Sequence, residues 1–162
     1  MIVFRNRGLL MPNLQPQPNK KITDHFSWSE LASKGNGSIW IPRPGDSREA
    51  FFWETIERAE KLRTDFGEPL VVLSGHRNRL HNIRVGGAFR SLHLLLALDL
   101  TVVSSRHPDP RDRERALGAL WDLSYGLGFH GRGRYKTFIH LDCRELLGRA
   151  PAIWEDNSKW AP

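Results

Sequence analysis

The segment Phe138-Ile139-His140-Leu141-Asp142-Cys143-Arg144 constrains this chain more than any other. From Ile139 to Arg144 apolar and polar residues alternate, the period of an extended strand, expected over Lys136 to Cys143, whose successive side chains leave opposite faces. One face carries Ile139, Leu141 and Cys143 toward a core. The other sets His140, Asp142 and Arg144 in a row, which invites a site.

The remaining elements are read around that strand. Leu70 to Leu73 is a β-branched-rich apolar run that opens into Ser74-Gly75, and Leu96 to Val103 is a second apolar run ending in β-branched residues, so both are expected strands. Phe52, Ile56, Ala59, Leu62 and Phe66 recur at helical spacing after the caps Asp46 or Ser47, and Gly67 with Pro69 stops them. Asp109-Pro110 opens another helix with Ala116, Leu117, Leu120 and Leu123 on its inner face, ending by Gly126. Ser27-Trp28-Ser29-Glu30 has capping-box spacing and precedes a short helix through Leu31. Residues 76–92 read as a loop with room for one helical turn, and Gly126, Gly128, Gly131 and Gly133 as a glycine-rich turn. The expected fold is α+β, a small, mainly antiparallel sheet flanked by helices in a single domain. An extended arm covers residues 1–22, the domain 23–150 and a tail 151–162, with Trp154 and Trp160 in the tail expected to pack.

Composition narrows the function classes. A hydrophobic fraction of 40% and mean hydropathy of -0.47 describe a globular chain, and no run approaches the roughly 20 apolar residues of a spanning helix. The single cysteine, Cys143, excludes an internal disulfide and a four-thiolate metal site and is expected in the core. Lys and Arg total 24 against 18 acidic residues, a net +6 that favours an anionic partner. No block of like charge and no recognition motif points to specific nucleic-acid binding. The apolar part of Met1 to Met11 is too short and interrupted for a secretory signal, so synthesis in the cytoplasm is expected.

Any metal must be held by His and carboxylate. His93 and Asp99 lie six positions apart, and with His140 they would make two imidazoles and one carboxylate, the ligand set of an open catalytic zinc site. The same residues suit a solvated strand face with a local ion pair and an ordinary hydrogen-bonded histidine. His76, His81, His107 and His130 lie in polar or glycine-rich stretches and read as surface histidines, with His81 also placed to line a cleft.

The order of motifs goes further. Ser74-Gly75-His76-Arg77, Asn82, Val85-Gly86-Gly87-Ala88, Ser91-Leu92-His93 with Ala97 and Asp99, Gly126-Leu127-Gly128-Phe129 and Phe138 to Arg144 together resemble the zinc D-Ala-D-Ala carboxypeptidase-like metallopeptidases, family M15, of the short bacterial and phage type. His25-Phe26-Ser27 with Glu30-Leu31 resembles that group's opening helix, so the resemblance spans residues 23–145. It implies a Zn2+ ion on His93, Asp99 and His140 and hydrolysis of peptidoglycan stem peptides at the cell wall. It further implies a phage or prophage endolysin, or a lysin carried among virion proteins, monomeric unless part of a virion. Arg77 would assist catalysis by placing the substrate or its carboxylate, as a planar guanidinium can. Arg144 and Ser91 are further substrate-binding candidates, Ser91 alternatively holding the loop that presents His93. The rival reading keeps the fold without turnover, as a wall-binding or structural virion protein.

Two departures from the family pattern Ser-x-His-x-x-Gly-x-Ala-x-Asp stand out. Ser91 to Asp99 lacks the glycine and is one residue shorter, so a changed bend must absorb the deletion, with Asp99 the ligand most at risk. Thr137 occupies the position where several relatives carry the Asp or Glu that acts as general base. That leaves Asp142 as the candidate base, or as a structural partner of Arg144 or an imidazole.

Overall fold

The computed structural model describes residues 19–156. Most of the expected arm, and the end of the tail with Trp160, lie outside the described residues. The arm's last residues are already stitched to the domain: Lys21 bridges Ser27, and Ile22 packs against the core.

Helix α1 (Trp28–Leu31) starts on the expected capping box, the Ser27 amide donating to Glu30 Oε2 at 2.8 Å. Helix α2 (Glu49–Phe66) ends at Gly67, whose φ of 78° only glycine adopts cheaply. Its N-cap is Arg48, one residue beyond the expected caps, and Asp46 serves the turn by accepting from the Arg48 amide at 2.8 Å. Strand β1 (Leu70–Ser74) follows, then α3 (Arg79–Arg84), β2 (Leu98–Val102) and α4 (Pro110–Gly126). Asp109 caps α4 through the amides of Arg111 and Asp112, as its sequence context requires. Strands β3 (Gly131–Tyr135), β4 (Ile139–Asp142) and β5 (Ala152–Asp156) complete an α+β domain.

The sheet order is β1-β2-β4-β3-β5, antiparallel except for the parallel pair β3 and β5. Helices α2 and α4 pack together, and α4 lies over β2 and β4. Their apolar stripes join Leu98, Leu100, Val102, Ile139 and Leu141 in one core, with Phe51, Phe52 and Leu120 fully buried. The alternation read from the sequence thus decides the faces: Leu98, Leu100, Ile139 and Leu141 serve the core, and Asp99, His140 and Asp142 the opposite face.

Two expectations are corrected. Gly131 and Gly133 do not turn the chain; only Gly128 does so, at φ 79°, and the other two lie within β3. They are glycines because a side chain has no space there: a Cβ at Gly131 would strike the Asp142 carboxylate, and one at Gly133 the Trp154 indole. Between them Arg132 faces the helices, stacking on Trp121 at 4.5 Å and donating to the Trp121 carbonyl at 3.3 Å near the C-terminal end of α4. The second correction concerns the tail, whose residues 152–156 form an edge strand of the sheet. A parallel partner is a long-range pairing, and no local pattern announces it.

Gly75 abuts the α1 backbone closely enough for the His76 amide to donate to the Leu31 carbonyl at 2.7 Å, and a Cβ at 75 would collide with that carbonyl. Gly75→Ala is therefore expected to destabilise by about 1–3 kcal/mol or more, whereas Gly118→Ala, in open space within α4, should stabilise by about 0.5–1 kcal/mol. Urea midpoints at constant m-value check both.

Candidate metal centre

The Ser74, Asp99, His140, Gly133 and Trp154 positions form one cross-strand row spanning all five strands. Ser74 joins it through a bulge. Leu70 and Val72 pair with Val102 and Leu100 on the core face, and the register shift between Val72 and Ser74 brings Ser74 opposite Asp99 instead. His93 arrives from outside the sheet, on a 3₁₀ turn (Leu92–Leu94) capped by Ser91, whose Oγ accepts from the His93 amide at 3.3 Å. That turn and the irregular residues after it are the bend that absorbs the shortened spacing, so Asp99 reaches the same point as His93.

Three ligand atoms converge. His93 Nε2 and His140 Nδ1 are 3.2 Å apart, and Asp99 Oδ1 lies 3.2 Å from the first and 2.9 Å from the second. All three residues are buried. The far ring nitrogens fix the tautomers. His93 Nδ1 faces the Gly75 carbonyl at 2.7 Å, which can only accept, and His140 Nε2 faces the Asp142 carboxylate at 3.0 Å. Both far nitrogens therefore carry hydrogen, and the near ones offer lone pairs to a common point. A zinc ion with ligands at about 2.0 Å in a tetrahedron has donor atoms about 3.3 Å apart, so the donor set fits zinc in chemistry and in spacing.

Arginines hold the carboxylates. Arg77 donates from Nη2 to Asp99 Oδ2 and from Nε to Ser74 Oγ, both at 2.7 Å, leaving Oδ1 free for the centre. Arg144 grips Asp142 from Nε at 2.9 Å and Nη2 at 2.7 Å while its amide donates to Oδ1 at 3.0 Å. The general-base expectation for Asp142 is thereby corrected: it is fully buried, both oxygens are engaged, and the His140 ring separates it from the ligand atoms. Asp142 orients His140. Thr137 is exposed in the turn before β4.

Residues 25–142 match the family described as Peptidase M15. The chain belongs to the peptidase M15 family. No curated protein matches it. Members of this family are metallopeptidases, and the centre of this M15 peptidase lies in a cleft of about 740 Å³. Lys34, Arg77, Arg90, Arg144 and Arg149 line it, and among the described residues its only carboxylates are Asp99 and Asp142. Among the described residues no helix is long and apolar enough to cross a membrane.

Four contributors were not read as site residues from the sequence. The Gly75 carbonyl is a backbone atom with no sequence signal. His76, expected at the surface, is instead buried, its Nδ1 3.0 Å from the Leu95 carbonyl, which pins the bend after His93. Tyr135 and Trp154 line the cleft from strands that sequence patterns did not mark. Cys143 stays inert, its thiol pushed up to about 12, chiefly by burial.

Burial opposes charge on both imidazoles. At His93 it prevails and lowers the pKa. At His140 it is outweighed by hydrogen bonds to Asp142 and Asp99, which pull the pKa up to about 9. Protonation of His140 therefore competes with a cation for the Nδ1 lone pair. Zinc affinity should rise about tenfold per pH unit between about pH 6 and pH 8, as one proton leaves per ion bound. Competition with a chelator of known affinity measures this, and a pH-independent constant would contradict the raised pKa of His140.

Proposed function

We propose that this chain is a zinc-dependent peptidase that hydrolyses peptide bonds in the stem peptides of peptidoglycan, acting at the cell wall as an endolysin or a virion-carried lysin. The observation that carries the reading is the convergence of His93 Nε2, Asp99 Oδ1 and His140 Nδ1 on one point inside a cationic cleft of an M15 family member. His93, Asp99 and His140 would hold the ion, which when bound would supply Lewis-acid chemistry to activate water and polarise a substrate carbonyl.

The chain's own residues supply the rest by position and charge. Asp142 keeps hydrogen on His140 Nε2, and the Gly75 carbonyl keeps it on His93 Nδ1, so neither ring turns its lone pair away. Arg77 spends Nε and one Nη2 bond on Ser74 and Asp99, and its remaining N–H groups have no acceptor among the described residues. They are placed to bind a substrate oxygen. Arg90 and Arg149, on the same wall and joined by an Arg149 Nη1 bond to the Arg90 carbonyl at 3.3 Å, favour a ligand bearing carboxylates, as stem peptides do. The net +6 assists approach to an anionic wall.

One observation favours a second reading, wall binding without turnover: Thr137 replaces the acidic residue of relatives, and both cleft carboxylates are held by arginines. Mass spectrometry of purified peptidoglycan treated with zinc-loaded protein separates the two. New peptide termini are expected from the wild type and none from His140→Ala, which should also lose its zinc. Arg77→Ala should weaken zinc binding or activity about 10–100-fold. Wild-type protein that holds zinc and binds wall material yet releases no new termini would overturn the peptidase reading in favour of the second.

A further inference from the structure

β5 lies beyond the matched residues, yet it builds one wall of the cleft. Its Trp154 pairs with Gly133, where an added Cβ would come within 2.5 Å of indole Cε2 and Nε1. The indole lies across that glycine and reaches the next strand. Its ring centre is 5.2 Å from that of His140, and the Arg144 guanidinium sits 5.1 Å from it.

The indole's one polar atom is engaged, with Nε1–H donating to the Tyr135 hydroxyl oxygen at 3.1 Å. An indole nitrogen can only donate. The phenol oxygen is therefore the acceptor, and Tyr135's own hydrogen must be directed elsewhere. No acceptor takes it among the described residues. Phe138 holds the phenol ring in place, stacked at 4.3 Å and within 8° of parallel. Tyr135, Phe138 and Trp154 all line the cleft. Arg77 and Arg144 are tied to buried carboxylates on either side of the centre, which leaves Tyr135 as a neutral donor with nothing yet to donate to.

We propose that Tyr135, steered by Trp154 of β5, is a substrate-binding residue whose phenol O–H donates a hydrogen bond to a carbonyl or carboxylate oxygen of the peptide. Trp154 is its positioning residue, acting through the bond to the hydroxyl. The inference rests on the peptidase reading and deepens it: an acceptor-rich ligand is what a cleft lined by arginine and phenol donors selects, and the C-terminal strand becomes part of the recognition surface.

The test uses the full chain as wild type, Tyr135→Phe, Trp154→Phe and the double variant. A synthetic stem peptide is titrated calorimetrically into metal-free protein, and KM and kcat are measured with zinc. Tyr135→Phe keeps the stack on Phe138, so zinc content and melting temperature should stay at wild-type values. The dissociation constant and KM should each rise about tenfold, the order of one hydrogen bond, with kcat changed less. Trp154→Phe should give a similar rise. The double variant should be little worse than either single, because Trp154 acts through Tyr135. If wild type cleaves the peptide and Tyr135→Phe binds and cleaves equally well, the inference is overturned and the peptidase reading stands. If wild type neither binds nor cleaves the peptide, both fall together.

Discussion

Three lone pairs aimed at one buried point are mutually repulsive, and the outer hydrogen bonds of this structure exist to hold them there. Each ligand is gripped from behind by a different element: His93 by the Gly75 carbonyl after β1, His140 by Asp142 two residues along β4, and Asp99 by Arg77. The arrangement is strained toward a cation or a proton, and the raised pKa of His140 expresses that demand. Arg77 and Arg144 are each shared between holding a carboxylate and lining the cleft, so the charges that fix Asp99 and Asp142 also set the charge of the cleft wall.

The sheet is built to make this possible. Core packing consumes one face of β2 and β4 and leaves the other polar. The bulge in β1 moves Ser74 from the core register to the site register, where it receives Arg77. Glycines at 131 and 133 then clear the floor, so that Asp142 with Arg144, and Trp154, can lie over β3 without collision. The same Gly-x-Gly alternation leaves Arg132 facing α4, where aromatic rings and a helix end take its charge.

Period-two alternation carried most of what could be read without coordinates. It marked β4 and its two faces, and the β-branched runs marked β1 and β2, because burial on one side is a local demand that sequence must satisfy locally. Helices α2 and α4 were legible for the same reason, through their apolar spacing and the Asp109 and Gly67 caps. β3 was hidden because its glycines answer to side chains on other strands, and β5 because its partner lies about twenty residues earlier and runs parallel. His93, Asp99 and His140 were legible as residue types at given spacings. Their convergence depended on a bend whose shape the missing glycine left open, and Asp142 could be separated from a base only by seeing both its oxygens engaged.

The proposed zinc peptidase requires a centre that takes zinc through His93 Nε2, Asp99 Oδ1 and His140 Nδ1. Diffraction at the zinc absorption edge from crystals of the zinc-loaded protein tests it most directly. One anomalous peak is expected about 2.0–2.2 Å from each of those three atoms, with His140 Nε2 still bonded to Asp142. A peak at another position, or zinc bound through His140 Nε2 with the Asp142 contact broken, would contradict it.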